Sequence, residues 1–157
     1  MIVVADTTPL HYLILIGEAN LLPILFRQVL IPGSVHNKLQ HPRTPAEVRH
    51  WMTHPPTWLE VRSVAAITTP ALKYLDPGER EAIQLALDLG IGTVLIDEAE
   101  GRQVAEALHL EVRGTLGILE RGAKLGNIDL RLALSKLEQT SFRISPAVRA
   151  AFLKRNP

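Results

Sequence analysis

The stretch Ile2-Val3-Val4-Ala5-Asp6-Thr7-Thr8-Pro9-Leu10 decides how the rest of the chain is read. Its first four residues are short, apolar and largely β-branched, the pattern of a strand buried on both faces. Thr8-Pro9 then supplies a helix start, with Thr8 expected as N-cap and Pro9 at the first helical position. Leu10, Leu13 and Ile14 follow at helical spacing. Between strand and helix stands Asp6. The same grammar returns at Thr93-Val94-Leu95-Ile96-Asp97, where a second apolar run ends in a carboxylate and leads into a helical stretch. In open α/β sheets the carboxyl edge of the strands is where ligands collect. If the two strands are neighbours, Asp6 and Asp97 can share one divalent cation.

Reading outward, residues 29–31 form a second expected strand. Ser34 can cap a helix running to Leu39. Residues 41–58 hold Pro42, Pro45, Pro55 and Pro56 with His41, His50 and His54, and read as a loop or insertion around one short helix at 46–52. Residues 59–62 alternate like an edge strand. Asp76-Pro77-Gly78-Glu79 is a helix start with Asp at N-cap, Pro at N1 and Glu at N3, and Gly90 is the matching stop. A helix at 99–108 and a strand at 110–113 follow. Gly114-Thr115 opens a helix ending near Gly126, Asp129 caps the next, and Ser145-Pro146 opens the last. Strands alternating with helices predict an α/β protein, a three-layer α/β/α sandwich around a mostly parallel sheet, as one domain over residues 1–157.

Composition narrows the function classes. With 46% hydrophobic and 21% charged residues the chain reads as globular. It has no Cys, which excludes disulfides, thiolate zinc and cysteine catalysis. No apolar run approaches the roughly 18 residues of a membrane span. The N-terminus lacks a basic leader and a small-residue cleavage site, so a cytoplasmic location is expected. Net charge is only +1, but residues 1–97 carry seven basic and nine acidic side chains, against ten and seven in residues 98–157. A mildly basic C-terminal part beside an acidic site suits a polyanion held at a metal centre.

Asp6 and Asp97 each have a bland alternative, as a turn-ordering or helix-capping residue. Glu79 has a stronger one, because Asp76-x-x-Glu79 is a complete capping-box pattern. His41, His50 and His54 sit in the Pro-rich stretch and read as surface residues. P-loop, G-x-G-x-x-G and G-x-S-x-G motifs are all missing. Carboxylates alone select Mg²⁺ or Mn²⁺ over zinc, and such an ion serves phosphodiester hydrolysis. An aspartyl-phosphate route would want a second acid two residues after the nucleophile, where this chain has Thr8.

Four ordered segments carry a family resemblance: Asp6-Thr7-Thr8-Pro9-Leu10, Leu75-Asp76-Pro77-Gly78-Glu79-Arg80-Glu81-Ala82-Ile83, Leu95-Ile96-Asp97-Glu98 with Gly101-Arg102, and Gly114-Thr115-Leu116-Gly117-Ile118-Leu119. Together they resemble the PIN-domain nucleases, in particular the VapC-like proteins grouped as DUF3368. The resemblance implies an acidic pocket holding Mg²⁺ or Mn²⁺ through Asp6, Glu79 and Asp97, with Thr8 as the small polar residue supporting it. It further implies endoribonuclease activity, an RNA substrate, a homodimer, and a small antitoxin as partner in a toxin–antitoxin pair. On this reading Glu79 turns from cap to metal. One departure stands out: Val35-His36-Asn37-Lys38-Leu39 has Asn37 and Lys38 where the family commonly has Glu. Glu98 or Glu100 could compensate. The rival reading is a PIN-fold module whose site has decayed and which binds RNA or protein. Arg102, Arg121 and Lys124 are candidate contacts to an RNA backbone.

Overall fold

The computed structural model describes residues 1–157. Five strands, β1 (Ile2–Ala5), β2 (Gln28–Ile31), β3 (Leu59–Val61), β4 (Thr93–Leu95) and β5 (Glu111–Arg113), form one sheet in the order β3-β2-β1-β4-β5. Every pairing is parallel. The chain runs outward from β1 to β3, then returns to place β4 on the other side of β1. The strand order therefore reverses between β1 and β4, and a crevice opens there at their carboxyl ends.

Two apolar clusters cover the two faces of the sheet. On one, Val3, Ala5, Val29, Ile31 and Leu95 pack with α1 (Thr7–Leu15), α2 (Leu21–Leu25), α3 (Gly33–Leu39), α4 (Ala46–Trp51), α7 (Thr115–Lys124) and α8 (Leu130–Glu138). On the other, Val4, Leu30, Val94 and Ile96 pack with α5 (Pro77–Leu89) and α6 (Ala99–Ala107). Alternate residues of β1 and β4 thus enter opposite layers, as the period-2 geometry of a strand requires. Leu10, Leu13, Leu22 and Phe26 are wholly or almost wholly buried, each worth roughly 1.5–3 kcal/mol of transfer free energy. Val48 and Met52, from the Pro-rich stretch, pack into the first cluster, while His41, His50 and His54 lie exposed.

Local starts and stops follow the sequence at most helices. Asp76 Oδ1 accepts the Glu79 amide at 2.8 Å, Asp129 Oδ1 accepts the Leu132 amide at 3.1 Å, and Ser145 Oγ accepts the Val148 amide at 3.2 Å. Gly90 ends α5 in the left-handed region at φ +66°. Three expectations are corrected. Helix α1 begins at Thr7, not after Thr8, so Asp6 takes the N-cap position, although it makes no capping side-chain bond. Helix α3 begins at Gly33 after Pro32, leaving Ser34 inside the first turn. There the Ser34 amide donates to Glu81 Oε1 and its hydroxyl to the Pro77 carbonyl, tying α3 to the start of α5. Strand β4 stops at Leu95, one residue early. None of the helices is long and apolar enough to cross a membrane. Replacing Gly90 by Ala places a Cβ in the left-handed region, and urea titration should read a loss of about 1 kcal/mol of stability.

Candidate functional site

The site grows from the register of β1 against β4. Val4 pairs with Val94 and Ala5 with Leu95, and the Asp6 amide donates to the Leu95 carbonyl at 2.9 Å. Asp6 therefore leaves β1 level with Ile96, and Asp97 follows one residue further on. In a strand one residue is a change of face. Asp6 continues on the side of Val4 and meets α5, whereas Asp97 continues on the side of Leu95 and meets α7.

The contacts bear out that geometry. Asp6 Oδ1 packs on the Gly78 backbone at the start of α5; a Cβ there would lie 2.6 Å from it. Glu79 is the next residue on α5. Its carboxylate lies over Gly101 of α6, where a Cβ would approach its Cδ to 3.0 Å. Asp97 lies beside Gly114, where a Cβ would stand 2.8 Å from Asp97 Oδ1 and 2.7 Å from Arg102 Nη1. A glycine thus makes room for each of the three acids. Asp97 is further held by α7: Oδ1 accepts the Thr115 amide at 2.8 Å and Oδ2 the Thr115 hydroxyl at 2.7 Å. The helix it caps is α7, whereas Glu98 takes the N-cap position of α6.

Asp6 and Glu79 are each only 4% exposed. Neither forms an ion pair, and neither side chain makes a well-formed hydrogen bond. Burial pushes Asp6 from an ordinary 3.8 up to about 6; the Thr7 amide and the positive charge of Lys38 offset part of this, while Asp76 and Asp97 add to it. Burial likewise pushes Glu79 from 4.5 up to about 7, reinforced by Asp76, Asp6 and Glu98. The Asp76 amide approaches the Glu79 carboxylate and lowers it slightly, while the firm bond of the cap runs from the Glu79 amide to Asp76 Oδ1. Asp97 is raised too, first by burial, with Thr115 and Arg102 pulling it back. Asp6, Asp76 and Glu79 form one group of mutually repelling acids on the α5 face, and Asp97 stands on the other side of the crevice.

Two polar groups here escape the sequence reading. The Thr7 hydroxyl is the one fully buried side-chain polar atom without a partner, and it sits beside Asp6 and Gly78. Thr8 instead lines a cleft with Asp97. Asp76, read only as a cap, adds its charge to the site. Glu98 is exposed but close enough to be felt by Glu79 and Asp97, whereas Glu100 is exposed with no such effect. Lys38 is exposed and forms no ion pair, yet its charge reaches both Asp6 and His11.

No three His, Asp or Glu side chains converge closely enough to enclose a metal by themselves. Zinc would ask for such a closed set. Mg²⁺ uses one or two carboxylates and keeps several waters, and the uncompensated Asp6–Glu79 pair with the orphaned Thr7 hydroxyl fits that kind of site.

A family model described as DUF3368, PIN domain, matches residues 2–156. The chain belongs to the PIN-domain family DUF3368. The all-parallel five-stranded sheet layered between helices agrees with that assignment. No curated protein and no solved structure matches the sequence. The PIN domain is a nuclease fold, and in this PIN domain the acids gather at the crevice between β1 and β4.

The acids make the metal-free protein unusually sensitive to rising pH. Asp6 and Glu79 bind their protons more tightly when folded, so their contribution favours the native state fully below about pH 4. It is lost as pH rises through the folded values of about 6 and about 7. Urea midpoints measured in chelator should fall across that window, and Asp6→Asn should flatten the lower part of the fall. A midpoint that climbs instead would mean that the acids are already compensated.

Proposed function

We propose that this PIN domain is a Mg²⁺- or Mn²⁺-dependent endoribonuclease, acting in the cytoplasm as a homodimer and as the toxin half of a toxin–antitoxin pair. The observation carrying the enzymatic part is the buried Asp6–Glu79 pair. Two desolvated carboxylates repel one another at the carboxyl end of the sheet, with only the unpaired charge of Lys38 to offset part of the cost. Burial without compensation is costly, and a divalent ion removes the cost. The antitoxin and the dimer rest on the resemblance to VapC-like proteins alone.

Asp6 and Glu79 would hold the ion, and Asp97 adds its charge from across the crevice. When bound, the ion supplies Lewis-acid polarisation of a phosphate oxygen and a lowered pKa for attacking water. The chain's own groups do the rest. The glycines at 78, 101 and 114 let the acids lie flat against backbone, which fixes them in place. Thr115 occupies one lone pair on each Asp97 oxygen and locks that carboxylate in orientation. Arg102, donating to the Ile96 carbonyl at 3.0 Å, stands next to Asp97 as a ready cation for a phosphate.

In a gel assay with Mn²⁺ and a structured RNA, wild-type protein should cut, and Asp6→Asn and Glu79→Gln should each fall to background. Equal cleavage by wild type and Asp6→Asn would defeat the assignment. Lys38 supports the second reading, a binding module with a weakened site, since its positive charge lies near Asp6 where the family commonly has an acid. Lys38→Glu should therefore tighten Mn²⁺ binding several-fold in calorimetric titration. Unchanged affinity would remove Lys38 from the account of the site.

A further inference from the structure

The buried Thr7 hydroxyl has no hydrogen-bond partner in the protein, and its place in the fold accounts for that. A threonine inside a helix can return its hydroxyl to the carbonyl one turn back, and at an N-cap it can accept an amide of the first turn. Thr7 is the first residue of α1, so neither outlet is open to it. The carbonyl four residues back belongs to Val3, in the extended backbone of β1, and the N-cap position belongs to Asp6. Thr7 as a whole is 7% exposed, so bulk water does not reach the hydroxyl either.

What the hydroxyl faces is set by the start of α5. A Cβ on Gly78 would stand 3.5 Å from Thr7 Oγ1, 2.6 Å from Asp6 Oδ1 and 3.5 Å from Asp76 Oδ1. Hydroxyl and carboxylates therefore crowd one patch of backbone. Asp76 Oδ1 is occupied there by the Glu79 amide. Asp6 is free, yet Thr7 and Asp6 are not bonded to each other. A buried donor and a buried acceptor left apart each cost free energy. A hydroxyl can give one bond and take others. Water held by a hard cation is a strong donor, and Mg²⁺ keeps several such waters in its sites. The Thr7 oxygen is the neutral acceptor that such a water needs beside the acids, with its own proton turned toward a carboxylate.

We propose that Thr7 is a positioning residue for the divalent ion: its hydroxyl accepts a hydrogen bond from one water of the ion's hydration shell and so steadies the ion against Asp6 without touching it. This role rests on the metal-dependent reading of the site and adds to it a residue that is not an acid. The two neighbouring threonines thereby part company, Thr8 lining the cleft beside Asp97 and Thr7 standing on the Asp6 side. Groups that hold a metal's ligands from behind change its affinity strongly when removed.

The test compares Thr7→Val, which keeps the β-branched shape and loses the hydroxyl, with Thr7→Ser, which keeps the hydroxyl. In chelator, urea midpoints should show Thr7→Val at least as stable as wild type, because a stranded polar atom is removed and no bond inside the protein is lost. Mn²⁺ affinity in calorimetric titration should fall about tenfold in Thr7→Val and stay near wild type in Thr7→Ser. A merely structural threonine would do the reverse, losing stability in chelator and leaving Mn²⁺ affinity where it was. Unchanged affinity in Thr7→Val, an equal loss in Thr7→Ser, or a lowered midpoint for Thr7→Val in chelator overturns the proposal. Failure of the metal reading itself looks different: wild type and both variants bind no Mn²⁺ at all, and the role of Thr7 falls with it.

Discussion

A carboxylate taken out of water needs an opposite charge or several donors, and Asp6 has been given almost neither. The structure surrounds it with further acids, Asp76 and Glu79, and holds the nearest cation, Lys38, at a distance beyond pairing. The partial positive charge at the first turns of α1 and α5 eases this only in part. Nearly every unusual local feature serves the same arrangement. Gly78 and Gly101 are small because acid oxygens lie against them, and the Thr7 hydroxyl is left buried without a partner next to Asp6. A fold optimised for stability alone would not bury these groups with so little to compensate them.

The one-residue offset between Asp6 and Asp97 shapes what such a cation would meet. Because β1 ends at Ala5 and β4 at Leu95 in matched register, Asp6 turns toward α5 and Asp97 toward α7. The acids flank the crevice from opposite layers and do not close a cage. That geometry leaves room for water and phosphate oxygens to complete the coordination of a hard divalent ion, which a closed set of protein ligands would exclude. It also sets Asp97 and Arg102 at the mouth of a cleft lined with arginines, so acidic pocket and basic groove share an edge.

Much of this was legible from local chemistry. The carboxylates at the strand ends, the Asp76-Pro77-Gly78-Glu79 helix start and the Gly90 stop all announce themselves through rules spanning a few residues. The ambiguities were also local. Thr8 looked like the N-cap because Pro9 follows it, but the helix starts at Thr7, and it is the Thr7 hydroxyl that is buried beside Asp6. Asp97 looked like the cap of the helix after it, yet it receives the amide of Thr115, eighteen residues on. Glu79 fitted a capping box, and the fold makes its forward bond to Asp76 while laying the Glu79 carboxylate over Gly101. In each case a side chain had two partners within reach of the pattern, and packing chose between them.

Apolar periodicity and turn chemistry by themselves determined the α/β class, the order of most elements and the two strand-end acids Asp6 and Asp97, because strands and helices announce themselves over a few neighbouring residues; Glu79 stood out only through the family resemblance. Only the tertiary structure decided that Asp6 and Asp97 leave the sheet on opposite faces, that Asp76 and Lys38 act on the same pocket, and that residues 141–155 return to wall a basic cleft beside it. Register and long-range packing depend on which strand lies next to which. No window of sequence carries that information.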